Sequence, residues 1–375
     1  MTHPFVFKLP SVNLDSKTLD NKEKVTFTNI TTYPLFTLGF HSFIHRTRNA
    51  MNITRTLQSK TEFYYVVNPF ENKISNYEDD LNNSNKLYLK TKQDYTNNFN
   101  KLWEVLFVFD MMKSSGETVF VDGDKELEEC VELFKEKTGK SKGKDKFVKE
   151  LKGKCDVYIS HHKPKAEDEN FLEQESYSSL LKQVIDILGN LENKGNVVLQ
   201  IYDTFTIPTI KILYVLQSFF EEVYMYKAYQ SRHSDTEKYL ILKNFKSSKT
   251  SDVVKSLESA GKLMEKNKYM ADIFPELVIP RDYLQVMKFL NVKLVNHQQI
   301  MINDIVKYIK ENNYFGNKYH EYRDKQIEST KWWIKNFYPP SVNLYEKNKD
   351  ELEKLYKSSQ EKLKSELEKF NEGLI

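Results

Sequence analysis

Residues 195–210 are GNVVLQIYDTFTIPTI, an apolar run that stops at a polar turn and resumes as a helix. Val197, Val198 and Leu199 follow one another without the alternation of a half-exposed strand, as in a strand covered on both faces. The run then ends in a loop and leads into the helix IPTIKILYVLQSFF. Gln200 is the odd residue, a carboxamide near the carboxyl end of this strand.

Before this stretch lie ETVFV (117–121), a short strand, and DGDKELEECVELFKEK, a helix with acidic residues in its first turn. Next come CDVYIS (155–160), a second strand, and EQESYSSLLKQVIDILGNLENKG, a helix expected to end at Gly195. After it follow the helix IPTIKILYVLQSFF and the strands EVYMYKA and KYLILKNF. This alternation predicts an α/β fold, a mostly parallel, doubly wound sheet with helices on both faces.

Upstream, PLFTLGFHSFIHRTRNAM places Phe40, Phe43, Ile44 and Met51 at helical steps, and KLWEVLFVFDMMK is a strongly apolar helix. Residues 1–32 and 71–100 are polar and are expected at the surface. Beyond residue 247 the strand signal ends and three helices follow, the last two separated by Pro339-Pro340. The expected division is an N-terminal segment 1–34, an α/β domain 35–247 and a helical C-terminal extension 248–375. The final helix carries Tyr356, Leu363, Leu367 and Phe370 on one face, a stripe to be buried against the body or a protein partner.

A formal charge of +3 over 375 residues leaves any nucleic-acid contact to a local patch. Residues 135–154, KEKTGKSKGKDKFVKELKGK, read either as a solvated loop or as a phosphate contact through Lys140, Lys142, Lys144 and Lys146. Two cysteines fit a reducing compartment, with the cytoplasm as the expected location. The apolar region 197–220 is interrupted by polar residues, so no membrane span is expected. Phosphate-loop, nucleophile-elbow and Cys–His signatures are absent from the sequence, and His161-His162 lacks a second ligand pair at metal spacing.

Taken together, VVLQIYDTFT and FFEEVYMYKAYQSRHSDTEKYLI resemble the last third of an FtsJ-type ribose 2′-O-methyltransferase, nearest the mRNA cap branch that includes forms encoded by large DNA viruses. Lys227, Ser231, Arg232, Glu237, Lys238 and Tyr239 stand in that family's order. Gln174-Glu175, GFHSFIH (39–45) and the tail NNYFGNKYHEYRDKQIESTKWWIKNFY also fit, so the resemblance spans roughly residues 35–340. It implies a Rossmann-like methyltransferase sheet and S-adenosylmethionine as methyl donor. It also implies a Lys-Asp-Lys-Glu tetrad whose second lysine takes the proton of the target 2′-hydroxyl.

Carried onto this chain, that tetrad is degenerate. Glu237 alone stands as the family has it. Gln200 takes the second lysine's place and cannot serve as a base near neutral pH. His161 or His162 stands where the aspartate ends its strand, and Arg46 or Arg48, always protonated, stands for the first lysine. The glycine-rich cofactor turn is reduced to Asp122-Gly123 with charged neighbours, so S-adenosylmethionine is not expected in its usual pose.

The implied function is a catalytically inactive relative that binds RNA or the cap, or acts as a scaffold, in viral mRNA capping, polyadenylation or cap-dependent translation initiation. Capped RNA would be met by Lys140, Lys142, Lys144, Lys146, Lys227, Ser231 and Arg232. A protein partner would use the C-terminal helices, and the location would be the host cytoplasm or a viral factory. The alternative is an active S-adenosylmethionine-dependent cap ribose 2′-O-methyltransferase with its base displaced to His161, His162 or Lys227.

Overall fold

In the computed structural model, Val197, Val198 and Leu199 lie fully buried in the middle of a seven-stranded sheet. The structure describes residues 4–20, 24–30, 33, 35–71, 74, 96–113, 116–140, 145–246, 250–264, 269–338 and 342–373. The strands are β1 (Phe5–Lys8), β3 (Thr118–Asp122), β4 (Lys146–Val148), β5 (Cys155–Ser160), β6 (Leu191–Ile201), β7 (Phe220–Lys227) and β8 (Lys238–Phe245). Their spatial order is β1-β7-β8-β6-β5-β3-β4. Strands β4, β3, β5 and β6 run parallel, while β8 is antiparallel to both neighbours and β1 is antiparallel to β7. This is a mostly parallel α/β sheet that fits a Rossmann-like methyltransferase fold.

Helices cover both faces, which explains the unbroken apolar runs of the central strands. Against one face pack α4 (Tyr177–Asn190), α5 (Ile207–Gln217), α6 (Thr250–Leu263) and the first half of α7 (Arg281–Lys310). Against the other pack α2 (Asn97–Phe109), α3 (Lys125–Lys137), the end of α8 (Gly316–Phe337) and the start of α9 (Val342–Asn371). Helix α1 (Leu38–Asn49) lies against α7 and is opened by Thr37, whose hydroxyl accepts from the Phe40 N–H. Pro208 opens α5, and residues 208–217 of that helix are all buried.

Several expectations are corrected. Helix α4 stops at Asn190 rather than Gly195, and residues 191–195 already belong to β6. Gly195 is required there because a Cβ would sit 2.8 Å from the carbonyl oxygens of Asp156 and Glu192. The described part of residues 1–32 is no surface segment. Val6, Phe7 and Leu9 are core residues, the Tyr214 hydroxyl donates to the Asn13 carbonyl, and Gln217 donates to that of Pro10. Strand signal also returns after 247, where β9 (Tyr269–Ile273) pairs with β2 (Val25–Thr28) and packs over α5. Pro339-Pro340 lies outside the described residues.

The C-terminal extension is likewise part of the core. Tyr345, Leu352 and Tyr356 are buried with the α2 face, and Leu363, Leu367 and Phe370 pack with the α7 face. The Ser359 hydroxyl donates 2.5 Å to the Pro4 carbonyl, so α9 crosses β1 at the edge of the sheet. The apolar stripe expected to offer a partner surface is thus occupied by the chain itself. Burying Leu352 and Leu363 alone contributes about 1.5–3 kcal/mol each. Removing residues 342–375 is therefore expected to abolish the cooperative thermal transition followed by circular dichroism. A truncated chain melting as sharply as the full one would contradict this packing.

Candidate functional site

The carboxyl ends of the parallel strands bring four side chains together. Gln200, one residue before the end of β6, donates through Nε2 to Glu237 Oε2 at 2.8 Å. Lys101 on α2 donates to the other carboxylate oxygen at 2.5 Å. His161 follows β5, with its ring centroid 5.1 Å from that of Tyr239. Lys101 and Glu237 are only 8% and 13% exposed, so this is a largely desolvated ion pair.

The electrostatics leave this cluster without a free base. Burial opposes the charge of Glu237, yet Lys101 and Lys227 hold its carboxyl at about 2. Burial, with Lys101 nearby, depresses His161 to about 3, so its imidazole is neutral. Burial also lowers Lys227 to about 8, but its ammonium donates to the Asp235 and Glu237 carbonyls at 2.8 and 2.9 Å. Lys227 thereby staples the 231–237 loop rather than facing the cluster. Lys238, lowered by burial to about 8, donates to the Tyr202 carbonyl.

The sequence placed Arg46 or Arg48 near Glu237; the structure places Lys101 there instead. Arg48 forms a bidentate pair with Asp203 at 2.7 and 3.0 Å, and Gln298 Oε1 accepts from it at 3.1 and 3.2 Å. Gln298 in turn donates to the Ser234 carbonyl at 2.6 Å, tying α1, the β6 turn, α7 and the 231–237 loop together. Arg46 is exposed, and so is His162. Lys101 was missed because its partner lies 136 positions away. Its signal was legible, since Lys101 and Glu104 are the only charged residues in NNFNKLWEVLFVF.

Glu104 supports the same loop from below. Its fully buried carboxylate accepts from the Tyr226 hydroxyl, Trp333 Nε1 (2.8 Å) and the backbone N–H groups of Tyr229 (2.6 Å) and Gln230 (3.4 Å). Burial raises it to about 7 despite these donors. Ser231 is buried just beyond, and the Arg232 guanidinium lies 4.3 Å from the Tyr65 ring centroid.

An open cleft of about 690 Å³ adjoins Glu237. Arg48, Arg55, Lys163 and Arg232 line it together with Glu167, Asp168, Glu169, Asp235 and Glu237, and half-buried Tyr65 borders it beside the buried Tyr64 and Tyr202. Its charge is mixed rather than basic. The lysine-rich loop is elsewhere, since α3 runs back to the amino ends of the strands before 138–145 begins. There Lys140 pairs with Asp110 and Lys146 is exposed on the edge strand β4, while Lys142 and Lys144 lie outside the described residues. Lys140 and Lys146 thus do not join Arg232 in one surface.

S-adenosylmethionine would be held where β3 ends, because the family brings its cofactor against the backbone at that turn. The residues present do not fit it. A Cβ on Gly123 would meet Leu127 Cδ1 at 2.6 Å and His161 Cβ at 3.7 Å, so side chains fill the space over the glycine. Asp122 accepts from the Ser160 hydroxyl at 3.0 Å, and the Glu237 cleft does not reach this turn. Among the described residues no His, Cys, Asp or Glu group is placed to hold a metal, and no helix is long and apolar enough to cross a membrane.

Breaking the central pair has a signed consequence. The pKa of Glu237 is depressed on folding, so the pair stabilises above the unfolded carboxyl value of 4.5 and is lost as pH falls toward 2. Lys101→Met leaves that carboxylate buried without its partner and is expected to cost about 3–5 kcal/mol at neutral pH. The deficit should shrink below pH 4.5 as Glu237 protonates, which denaturant titrations at pH 7 and pH 4 will measure.

Comparison with known proteins agrees with this architecture. The family model described as FtsJ-like methyltransferase matches residues 103–245, from α2 to the end of β8. An uncharacterized protein, R383, of Acanthamoeba polyphaga mimivirus is 24% identical over 92% of this chain and 96% of its own length. The cap-specific mRNA (nucleoside-2′-O-)-methyltransferase 1 of Dictyostelium discoideum is 24% identical over 46% of this chain, a match that covers 22% of that relative. The chain is thus a methyltransferase-like protein with an FtsJ-like region, homologous to a cap-specific mRNA 2′-O-methyltransferase and to a mimivirus protein.

Proposed function

We propose that this protein binds capped RNA in the cleft beside Glu237 without transferring a methyl group. It would act as an RNA-binding or scaffold subunit in viral mRNA capping, polyadenylation or cap-dependent translation initiation, in the host cytoplasm or a viral factory. One observation carries the reading: Glu237 is closed on both oxygens, by Lys101 and by a carboxamide, Gln200, where a proton-accepting lysine is expected from the family. A base contributes about 10²- to 10⁴-fold to such a transfer. Gln200 cannot supply it, and a histidine held near 3 is a poor substitute.

Of the amines lowered toward neutrality, Lys227, which the displaced-base alternative would use, is engaged by two carbonyls of the loop, and Lys238 donates to the Tyr202 carbonyl. The filled turn over Gly123 argues in the same direction. What supports RNA binding is half-buried Tyr65 with the Arg232 guanidinium against its ring and Arg55 in the same cleft wall, since unstacked bases are held by aromatic faces and guanidinium planes.

Purified protein incubated with radiolabelled S-adenosylmethionine and a capped oligonucleotide is expected to transfer no label while binding the oligonucleotide. Label transfer that disappears in Glu237→Ala would establish the active alternative. The mixed charge of the cleft further predicts a shallow salt dependence, a slope of roughly one or two in log affinity against log salt. Lys140→Ala should leave that slope unchanged because Lys140 is ion-paired at the opposite end of the sheet. A slope halved by that substitution would move the RNA path to the lysine-rich loop.

A further inference from the structure

The turn between α7 and α8 exposes aromatic surface that the fold does not use. Phe315 is 61% exposed, and its ring centroid lies 4.6 Å from that of half-buried Tyr314. The pair is held rigidly. Asn312 and Gly316 flank it with φ of 55° and 67°, left-handed conformations that make a tight turn, and the Tyr314 hydroxyl donates to Asn312 Oδ1 at 2.6 Å. Phe63 extends the surface, 6.3 Å from Tyr314 and 5.5 Å from Tyr319. The Lys60 ammonium sits 4.8 and 5.3 Å from the Tyr314 and Phe315 rings.

This surface is continuous with the cleft. The segment from Ala50 to Val67 presents Arg55, Tyr64 and Tyr65 to the cleft, and Lys60 and Phe63 to the aromatic turn. A strand of RNA leaving the cleft along this segment therefore meets a cation and then the exposed ring of Phe315 beside half-buried Tyr314. That is the arrangement by which single strands are held without regard to sequence, phosphate on the cation and bases on the rings. A protein partner would fit less well, because lysine is depleted from the cores of protein interfaces.

We propose that Phe315 and Tyr314, with Lys60, form a stacking platform for nucleotides of single-stranded RNA downstream of the segment bound in the cleft. The inference rests on the RNA-binding reading above and extends it to a second subsite outside the region matched by the FtsJ-like family model.

Fluorescence anisotropy tests it with two probes, an uncapped single-stranded RNA decamer and a 7-methylguanosine triphosphate cap analogue. Phe315 is on the surface, so Phe315→Ala should leave the melting temperature unchanged. It should weaken decamer binding about tenfold, within the range for losing one base–aromatic stack. Cap-analogue binding should not change, and Phe315→Trp should restore the decamer. Unaltered decamer affinity in Phe315→Ala overturns the platform while leaving the cleft reading intact, as does an apolar protein partner that competes with no RNA. Wild-type protein that binds the decamer but not the analogue removes the cap from the cleft reading and keeps the platform. Wild-type protein that binds neither overturns both.

Discussion

A buried carboxylate holds the working end of this molecule in place. Glu104 collects hydrogen bonds from a strand residue, a helix residue and two backbone groups of the loop that follows β7, with no ion pair among the described residues. Each donor would otherwise be left unsatisfied in the core, at a cost of about 1–3 kcal/mol. Only a carboxylate accepts so many donors at one point: glutamine would turn an NH₂ toward them and methionine would leave all four empty. The loop so anchored carries Arg232 to the cleft and Glu237 to its pair with Lys101. The site's geometry therefore depends on a residue that never faces it.

The substitutions around Glu237 make sense as a charge balance. The cluster holds one cation and one anion, Lys101 and Glu237, beside the uncharged Gln200 and the neutral His161. Losing one charge alone would leave a buried ion unmatched, which costs several kcal/mol, whereas losing one of each sign leaves a satisfied pair. A lysine reintroduced at position 200 would face Lys101 across a single carboxylate. Stability and chemistry thus pull apart at this point, and the retained pair contributes to the first.

Much of the fold was legible because local pattern and burial coincide. The run at 197–199 and the alternation of strands with helices both report what covers them. The failures share one cause, that exposure cannot be judged from a segment read alone. Residues 5–9 are a short stretch in polar surroundings, yet β7 offers them an edge. The stripe on α9 was visible, but not that its partner was this same chain. Lys101 stands where Arg46 or Arg48 was expected because Lys101 and Arg48 are each fixed by a partner more than a hundred positions away. Lys140 and Lys146 lie away from the cleft for a topological reason: a helix returning after β3 precedes them at the other end of the sheet.

The contact between Ser359 and Pro4 spans 355 positions and closes α9 over β1. During synthesis the outer edge of the sheet therefore waits for nearly the whole chain. At about 5–20 residues per second, roughly 20–70 s separate the emergence of the first strand from that of the helix that clamps it. Until α9 emerges, β1 is not clamped against β7 at this edge, and an open strand edge is a template for pairing with other chains. Production of this protein in a foreign host should consequently be limited by self-association of nascent chains. Slower initiation or a holding chaperone is a more direct remedy for that than any change to the finished core.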